Sequence, residues 1–347
     1  MAARGQGVEL SYAVRLRVLG KYLGQLFIVL AALLLMPLVI SIVFRQWDVT
    51  WRYAAVAGAL AGFGAITSRI DAPKRIQTNE ALVLAALAFL IGPIITAWPM
   101  TASGIAYLDA YFETVSAVTT TGLSTLATVE DKSPTFLFSR AWSQWYGGLG
   151  IMSLSLALVI QPGLASRRLA IAEVEADDPV GGTIAHFRRI LLTYCVLTLT
   201  GVIVLWLLGV GSFHAALLSL SAVSTGGFAP HDNSLEALPY WPQQFTVMLI
   251  SIGGCISLTL YRRAIGEGIG HVVKDPQLRA IVLCGLMATG AMLLCARYEQ
   301  GLEWRESLRL APLVAFSAQT TAGFSVASLS PDEPVGLIVL MISMFIG

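Results

Sequence analysis

The sequence predicts an all-α, polytopic membrane protein of repeated span–re-entrant helix–span units, with an extra N-terminal pair of spans. Three observations predict it. Of 347 residues, 56% are hydrophobic and 12% charged, with a mean hydropathy of +0.73; a soluble chain carries about 25% charged residues to face water. Uncharged runs near bilayer length fall at about 26–44, 53–68, 81–100, 141–161, 190–210, 241–261 and 280–296, and an eighth begins near Val335. A ten-residue phrase recurs between these runs: SAVTTTGLST at Ser116–Thr125, SAVSTGGFAP at Ser221–Pro230 and SAQTTAGFSV at Ser317–Val326.

The first run is too long for a signal peptide, lacks a small-residue cleavage site and is followed at once by more spans. The second is rich in small residues between Ala54 and Gly64, which suits close helix packing. Neither carries the phrase, so residues 1–78 read as a cytoplasmic N-terminus with an added span pair. Residues 79–162 form the first repeat, 163–189 a cytoplasmic link, 190–263 the second repeat, and 264–347 a further link with an incomplete third repeat. Within each repeat a short apolar segment leads into the phrase: about Ala106–Val118, Phe213–Val223 and Ser307–Gln319. Such lengths are too short to cross a bilayer and suit re-entrant helices.

The returning spans align as well. Gly147-Gly148 follows Gly122 by 25 residues, Gly253-Gly254 follows Gly227 by 26, and Ile346-Gly347 follows Gly323 by 24. An apolar helix ending there would leave its last carbonyls uncapped in hydrocarbon. The expectation is a longer protein containing the rest of repeat three and a fourth repeat, without which the chain is a non-conducting fragment.

Charge sets the orientation. Arg4, Arg15, Arg17 and Lys21, then Arg69, Lys74 and Arg75, then Arg167, Arg168, Arg188 and Arg189, then Arg262, Arg263, Lys274 and Arg279 fall on alternate loops, fifteen of the 22 basic residues. Residues 211–243 carry neither Lys nor Arg. By the positive-inside rule the N-terminus is cytoplasmic and all three phrases lie on the outer side. The acidic stretch Glu173, Glu175, Asp177 and Asp178 in the cytoplasmic link reads as a solvated loop or a docking site. The four cysteines sit inside predicted spans as packing residues, with no metal-ligand or disulfide spacing. The net charge of +1 gives no reason to expect a nucleic-acid partner.

Aligned on the leading Ser, the phrases place Gly122, Gly227 and Gly323 in register, each two residues after a Thr (Thr120, Thr225, Thr321). A turn at membrane depth leaves backbone carbonyls unpaired, tolerable only where they line a polar cavity. A dehydrated cation needs such oxygens in place of its water shell. Glycine lets successive carbonyls turn the same way, and the partly negative C-terminal end of each short helix favours a cation. The alternative is that these Gly- and Thr-rich phrases are merely helix-packing contacts. Asp109 and Glu113, one turn apart, either concentrate cations at the mouth or serve as ordinary polar contacts. Arg140 is expected to snorkel at the outer surface. His214 and His231 have no partner at metal spacing, so no transition-metal site is expected. Without a Walker A sequence, a dinucleotide fingerprint or paired carboxylates, the chain is expected to be neither an enzyme nor a cofactor binder.

These residues resemble the TrkH/TrkG subunits of bacterial potassium uptake systems, within the Trk/Ktr/HKT superfamily. The match rests on TTTG at Thr119–Gly122, STGGF at Ser224–Phe228, TTAGF at Thr320–Phe324 and QWYGGLGI at Gln144–Ile151. The added N-terminal span pair looks more like TrkH than KtrB. The resemblance implies four repeats around one pore, a homodimer in the bacterial inner membrane, and a cytosolic nucleotide-binding partner of the TrkA type. It also implies an ion-binding filter at Thr120, Thr121, Gly122, Thr225, Gly226, Gly227, Thr321, Ala322 and Gly323. In plant relatives a Ser at the first filter glycine accompanies sodium transport; Gly122 here favours potassium over a sodium or poorly selective pathway.

Overall fold

The computed structural model describes residues 14–73, 76–159, 179–256, 260–261, 274–326 and 334–346, and all regular structure among them is helical. The acidic stretch of the cytoplasmic link up to Asp178, and Gly347, lie outside the described residues. Two compact units share the chain. One holds residues up to Thr119 with Lys132–Ser139 and Gly150–Ile184; the other holds Thr120–Asp131, Arg140–Leu149 and Ala185 onward.

In the first unit, α1 (Leu16–Leu33) and α2 (Leu35–Val43) pack on α3 (Trp47–Thr67), followed by α4 (Thr78–Met100) and the short α5 (Tyr107–Val118). Helix α1 begins ten residues before the predicted run. Hydropathy excludes Arg17 and Lys21, but a helix can carry charged residues on a turn beyond the hydrocarbon. Phe27, Ala31, Val49, Tyr53, Val56 and Leu60 make the shared core. A Cβ on Gly64 would fall 2.7 Å from the Gly24 carbonyl, so these two helices touch backbone to backbone. A Cβ on Gly58 or Gly62, expected to serve the same contact, would meet nothing within 4 Å among the described residues. At the entrance to α4 the buried Glu80 accepts from Arg15 Nε at 2.7 Å and Nη2 at 2.8 Å, and from the Gln77 amide at 2.9 Å.

Helix α6 (Pro134–Val159) contributes to both units. The second unit adds α7 (Pro179–Leu207), α8 (Ser212–Val223), α9 (Trp241–Cys255), α10 (Pro276–Tyr298), α11 (Trp304–Gln319) and α12 (Pro334–Ile346). Helix α8 packs on α9, α9 on α11, and α10 on both α11 and α12. Leu205, Leu218, Leu235, Val247, Met248 and Leu313 form its main core. By length and composition five described helical stretches can cross a membrane: Leu16–Val43, Trp47–Thr67, Asn79–Ser103, Phe187–Leu207 and Pro276–Tyr298. Helix α8 cannot, since twelve residues reach only about 18 Å of a ~30 Å hydrocarbon core.

The three short helices therefore exist as predicted, and all three end on the expected residue. Each is entered through a left-handed glycine: Gly104 (φ 77), Gly209 (φ 88) and Gly301 (φ 69). Lacking a Cβ, glycine takes this conformation freely, which lets the chain reverse after a span. Helix α11 starts at Trp304, three residues before the predicted Ser307, and is four residues longer than α5 and α8.

Candidate functional site

After each short helix the backbone repeats one unusual conformation. Thr120, Thr225 and Thr321 are left-handed, with φ of 54, 50 and 56, and the glycines two positions later have φ of 77, 80 and 72. A β-branched residue in that region costs about 1 kcal/mol or more, so it persists only where the surroundings enforce it. Helix-end hydrogen bonds do so here. The Thr225 amide donates to the Ala222 carbonyl at 3.0 Å and the Gly226 amide to Ser221 at 2.9 Å, the Schellman pairing with threonine where glycine is usual. In the third repeat the Thr321 amide donates to Ala318 at 3.0 Å, and the Gly323 amide reaches Ser317 at 3.3 Å.

The three turns lie side by side in chain order. A Cβ on Gly122 would fall on the Gly226 carbonyl oxygen, and one on Gly227 would fall on the Ala322 carbonyl oxygen. Gly323, at the end of this series, meets nothing within 4 Å among the described residues. Thr121, Thr321 and Gly323 are exposed, Thr120, Gly122, Thr225 and Gly227 half-buried, and Gly226 and Ala322 buried. The arrangement brings the backbone of the three segments together at the Gly122–Gly226 and Gly227–Ala322 approaches.

The paired glycines of the returning helices grip the second short helix where it ends. A Cβ on Gly148 would approach Tyr194 Oη at 2.7 Å and Ser224 Cβ at 3.2 Å, and one on Gly254 would fall on the Val223 carbonyl. The leading Ser of the phrase, which its repetition flagged without revealing a role, stands behind the turn. Ser221 Oγ donates to Gln144 Oε1 at 2.7 Å and Ser317 Oγ to the Phe324 carbonyl at 2.7 Å. Gln144 itself escaped the sequence reading except as part of a quoted motif.

Charged neighbours differ from expectation. Arg140 does not snorkel: it is 4% exposed, with its guanidinium carbon 3.8 Å from the centroid of the Phe228 ring. The cause is the aromatic face following Gly227, which receives the cation inside the unit. Glu113 is fully buried on α5, so of the two acids only the half-buried Asp109 could act at a watery mouth. Beyond the turns, His214 and His231 lie edge to face with centroids 4.9 Å apart, and His231 Nδ1 is 3.2 Å from Glu130 Oε1. Asp232 accepts from the Val129 amide at 2.6 Å, lacing the loops after the first and second turns together. Burial, then His231, holds the His214 imidazole below its ordinary 6.5, against an upward pull from Glu130. Among the described residues, no group of three or more His, Cys, Asp or Glu side chains could hold a metal ion.

A family model described as TrkH, cation transport protein, matches residues 66–294. An uncharacterized cation transporter of Methanocaldococcus jannaschii is 26% identical over 94% of this chain and 66% of its own length. The Trk system potassium uptake protein TrkH of Halomonas elongata is 28% identical over 96% of this chain and 71% of its own. That of Vibrio parahaemolyticus is 31% identical over 70% of this chain and 52% of its own. The chain thus spans from about half to 71% of the length of these relatives. The crystal structure of the potassium transporter TrkH from Vibrio parahaemolyticus superposes with a TM-score of 0.83 at 22% identity, covering 95% of this chain and 70% of that one.

Proposed function

Because the chain belongs to the TrkH family of cation transport proteins, we propose that it forms the pore of a Trk-type potassium uptake system in the cytoplasmic membrane. One observation carries the reading: three Thr-x-Gly turns share one left-handed backbone and stack glycine against carbonyl in chain order. Relatives named as Trk potassium uptake proteins support potassium as the ion.

In this reading a potassium ion sheds its water against oxygens of Thr120–Gly122, Thr225–Gly227 and Thr321–Gly323, while three helix C-termini aim partial negative charge at the same place. Catalysis and cofactors have no part. Entry is driven by voltage, since one inward charge gains about 2.3 kcal/mol per 100 mV, close to a fifty-fold accumulation. Three segments do not enclose an ion. Among the described residues nothing lies within 4 Å of a Cβ on Gly323, and the proposal puts a fourth oxygen-bearing segment there. A homodimer with a cytosolic TrkA-type partner and an inward-facing N-terminus complete the proposal, on the strength of the family resemblance.

The test is growth of potassium-uptake-deficient cells at low potassium. The native protein restores growth, and Gly122→Leu abolishes it because its side chain meets the Gly226 carbonyl. Unchanged rubidium influx in Gly122→Leu defeats the filter assignment. Equal rubidium and sodium fluxes in the native protein replace potassium uptake with a poorly selective pathway.

A further inference from the structure

Gln144, midway along α6, is fully buried (0% exposed). Its Nε2 donates to the Gly226 carbonyl at 2.6 Å. Its Oε1 accepts from Ser221 Oγ at 2.7 Å and from the Phe228 amide at 3.2 Å. One side chain from the first repeat thus ties three parts of the second phrase: its leading Ser, the middle of its Thr-x-Gly turn, and the residue after the turn. Contact is so close that a Cβ on Gly226 would fall on the Gln144 amide carbon.

A carbonyl oxygen has two lone pairs. At Gly226 one is engaged by Gln144, and the same oxygen lies against Gly122. Discrimination between monovalent cations depends on how many oxygens face the ion and how strong their field is. A short hydrogen bond from behind fixes where this oxygen points and draws off part of its field. The Ala322 carbonyl, which meets Gly227 in the same way, receives no side-chain hydrogen bond among the described residues. The returning helix of the second repeat has Ile250 three residues before its glycine pair, where the first has Gln144. The support is therefore built into one seam of the cluster and absent from its neighbour.

We propose that Gln144 is a positioning residue that sets ion selectivity by holding the Gly226 carbonyl. This rests on the filter reading above. The experiment measures rubidium and sodium influx, with membrane abundance, for the native protein in potassium-uptake-deficient cells. Gln144→Met removes all three bonds at similar volume. Gln144→Glu keeps the acceptor and loses the donor to Gly226. The comparison variant is Gln244→Met, because among the described residues buried Gln244 donates to the Leu235 and Leu238 carbonyls and to no residue of a Thr-x-Gly turn. Both Gln144 variants should lower the rubidium-to-sodium ratio by roughly tenfold per molecule in the membrane, with Gln244→Met near the native ratio. Ratios within about twofold of native in both overturn the proposal, as does an equal fall in Gln244→Met. Should neither Gln144 variant reach the membrane, Ser221→Ala decides: it removes one bond and must move the ratio the same way, and an unchanged ratio overturns the proposal. A native protein that moves no rubidium defeats the filter reading instead.

Discussion

Thr225 and Thr321 have φ of 50 and 56, and the glycines two residues on have 80 and 72. Around that common backbone the second and third turns are built differently. The second is walled on both sides, by Gly122 against Gly226 and by Ala322 against Gly227, and is tied from behind by Gln144. The third is tied by Ser317 Oγ to its own Phe324 carbonyl and by Ser234 and Leu235 at Ser325, and among the described residues nothing approaches Gly323. Repetition has preserved the conformation that aims the carbonyls, while the supports around it diverge.

Substituting the two glycines breaks or sharpens this contrast most strongly. Gly227→Ala puts a methyl on the Ala322 carbonyl and should cut rubidium influx by roughly a hundredfold, the equivalent of about 2.7 kcal/mol. Gly323→Ala carries backbone strain alone within the described residues, about 1 kcal/mol. The proposed reading, with a further oxygen-bearing segment against Gly323, predicts that it is as damaging as Gly227→Ala. A mild phenotype would remove that segment from the account.

Next in size is relief of strain at the threonines. Thr225→Gly and Thr321→Gly should each release about 1 kcal/mol of left-handed strain. The Gln144 tie keeps the second turn in place, so thermal stability rises more for Thr225→Gly. Among the described residues the third turn is braced only beyond its glycine, by Ser317 on the Phe324 carbonyl and by Ser234 and Leu235 at Ser325, so ion selectivity falls more for Thr321→Gly. Equal effects at both would show that the supports do not matter.

The smallest effect is at the start of α8. His214 is held below its ordinary 6.5, so as pH falls past that value the unfolded chain takes up more protons than the folded one. Stability is complete above this window and declines on acidification. His214→Gln should shrink the loss of melting temperature between about pH 7.5 and about pH 5.5 by roughly 1–2 °C. An unchanged loss would exclude His214 as its source.

The ends of the short helices were legible because Thr-x-Gly combines a helix stop with a glycine at a left-handed position. Their starts were less so: Glu303, Trp304 and Arg305 look like a polar loop, yet the longer α11 takes in Trp304 and Arg305. The small residues of α3 announced close packing, but only the register of the partner helix selects Gly64 over Gly58 and Gly62. Arg140 read as a surface cation because the aromatic face of Phe228 lies 88 residues away in sequence. Gln144 was hidden for the same reason, its partners lying on another repeat. Repeated residues report shared conformation, whereas supports used once leave no pattern to find.

The central claim is tested most directly by rubidium anomalous scattering from crystals of the native protein. The account predicts a rubidium site in contact with oxygens of Thr120–Gly122, Thr225–Gly227 and Thr321–Gly323, lost in Gly227→Ala. Rubidium bound only elsewhere in a protein that transports it, with the three turns empty, would contradict it.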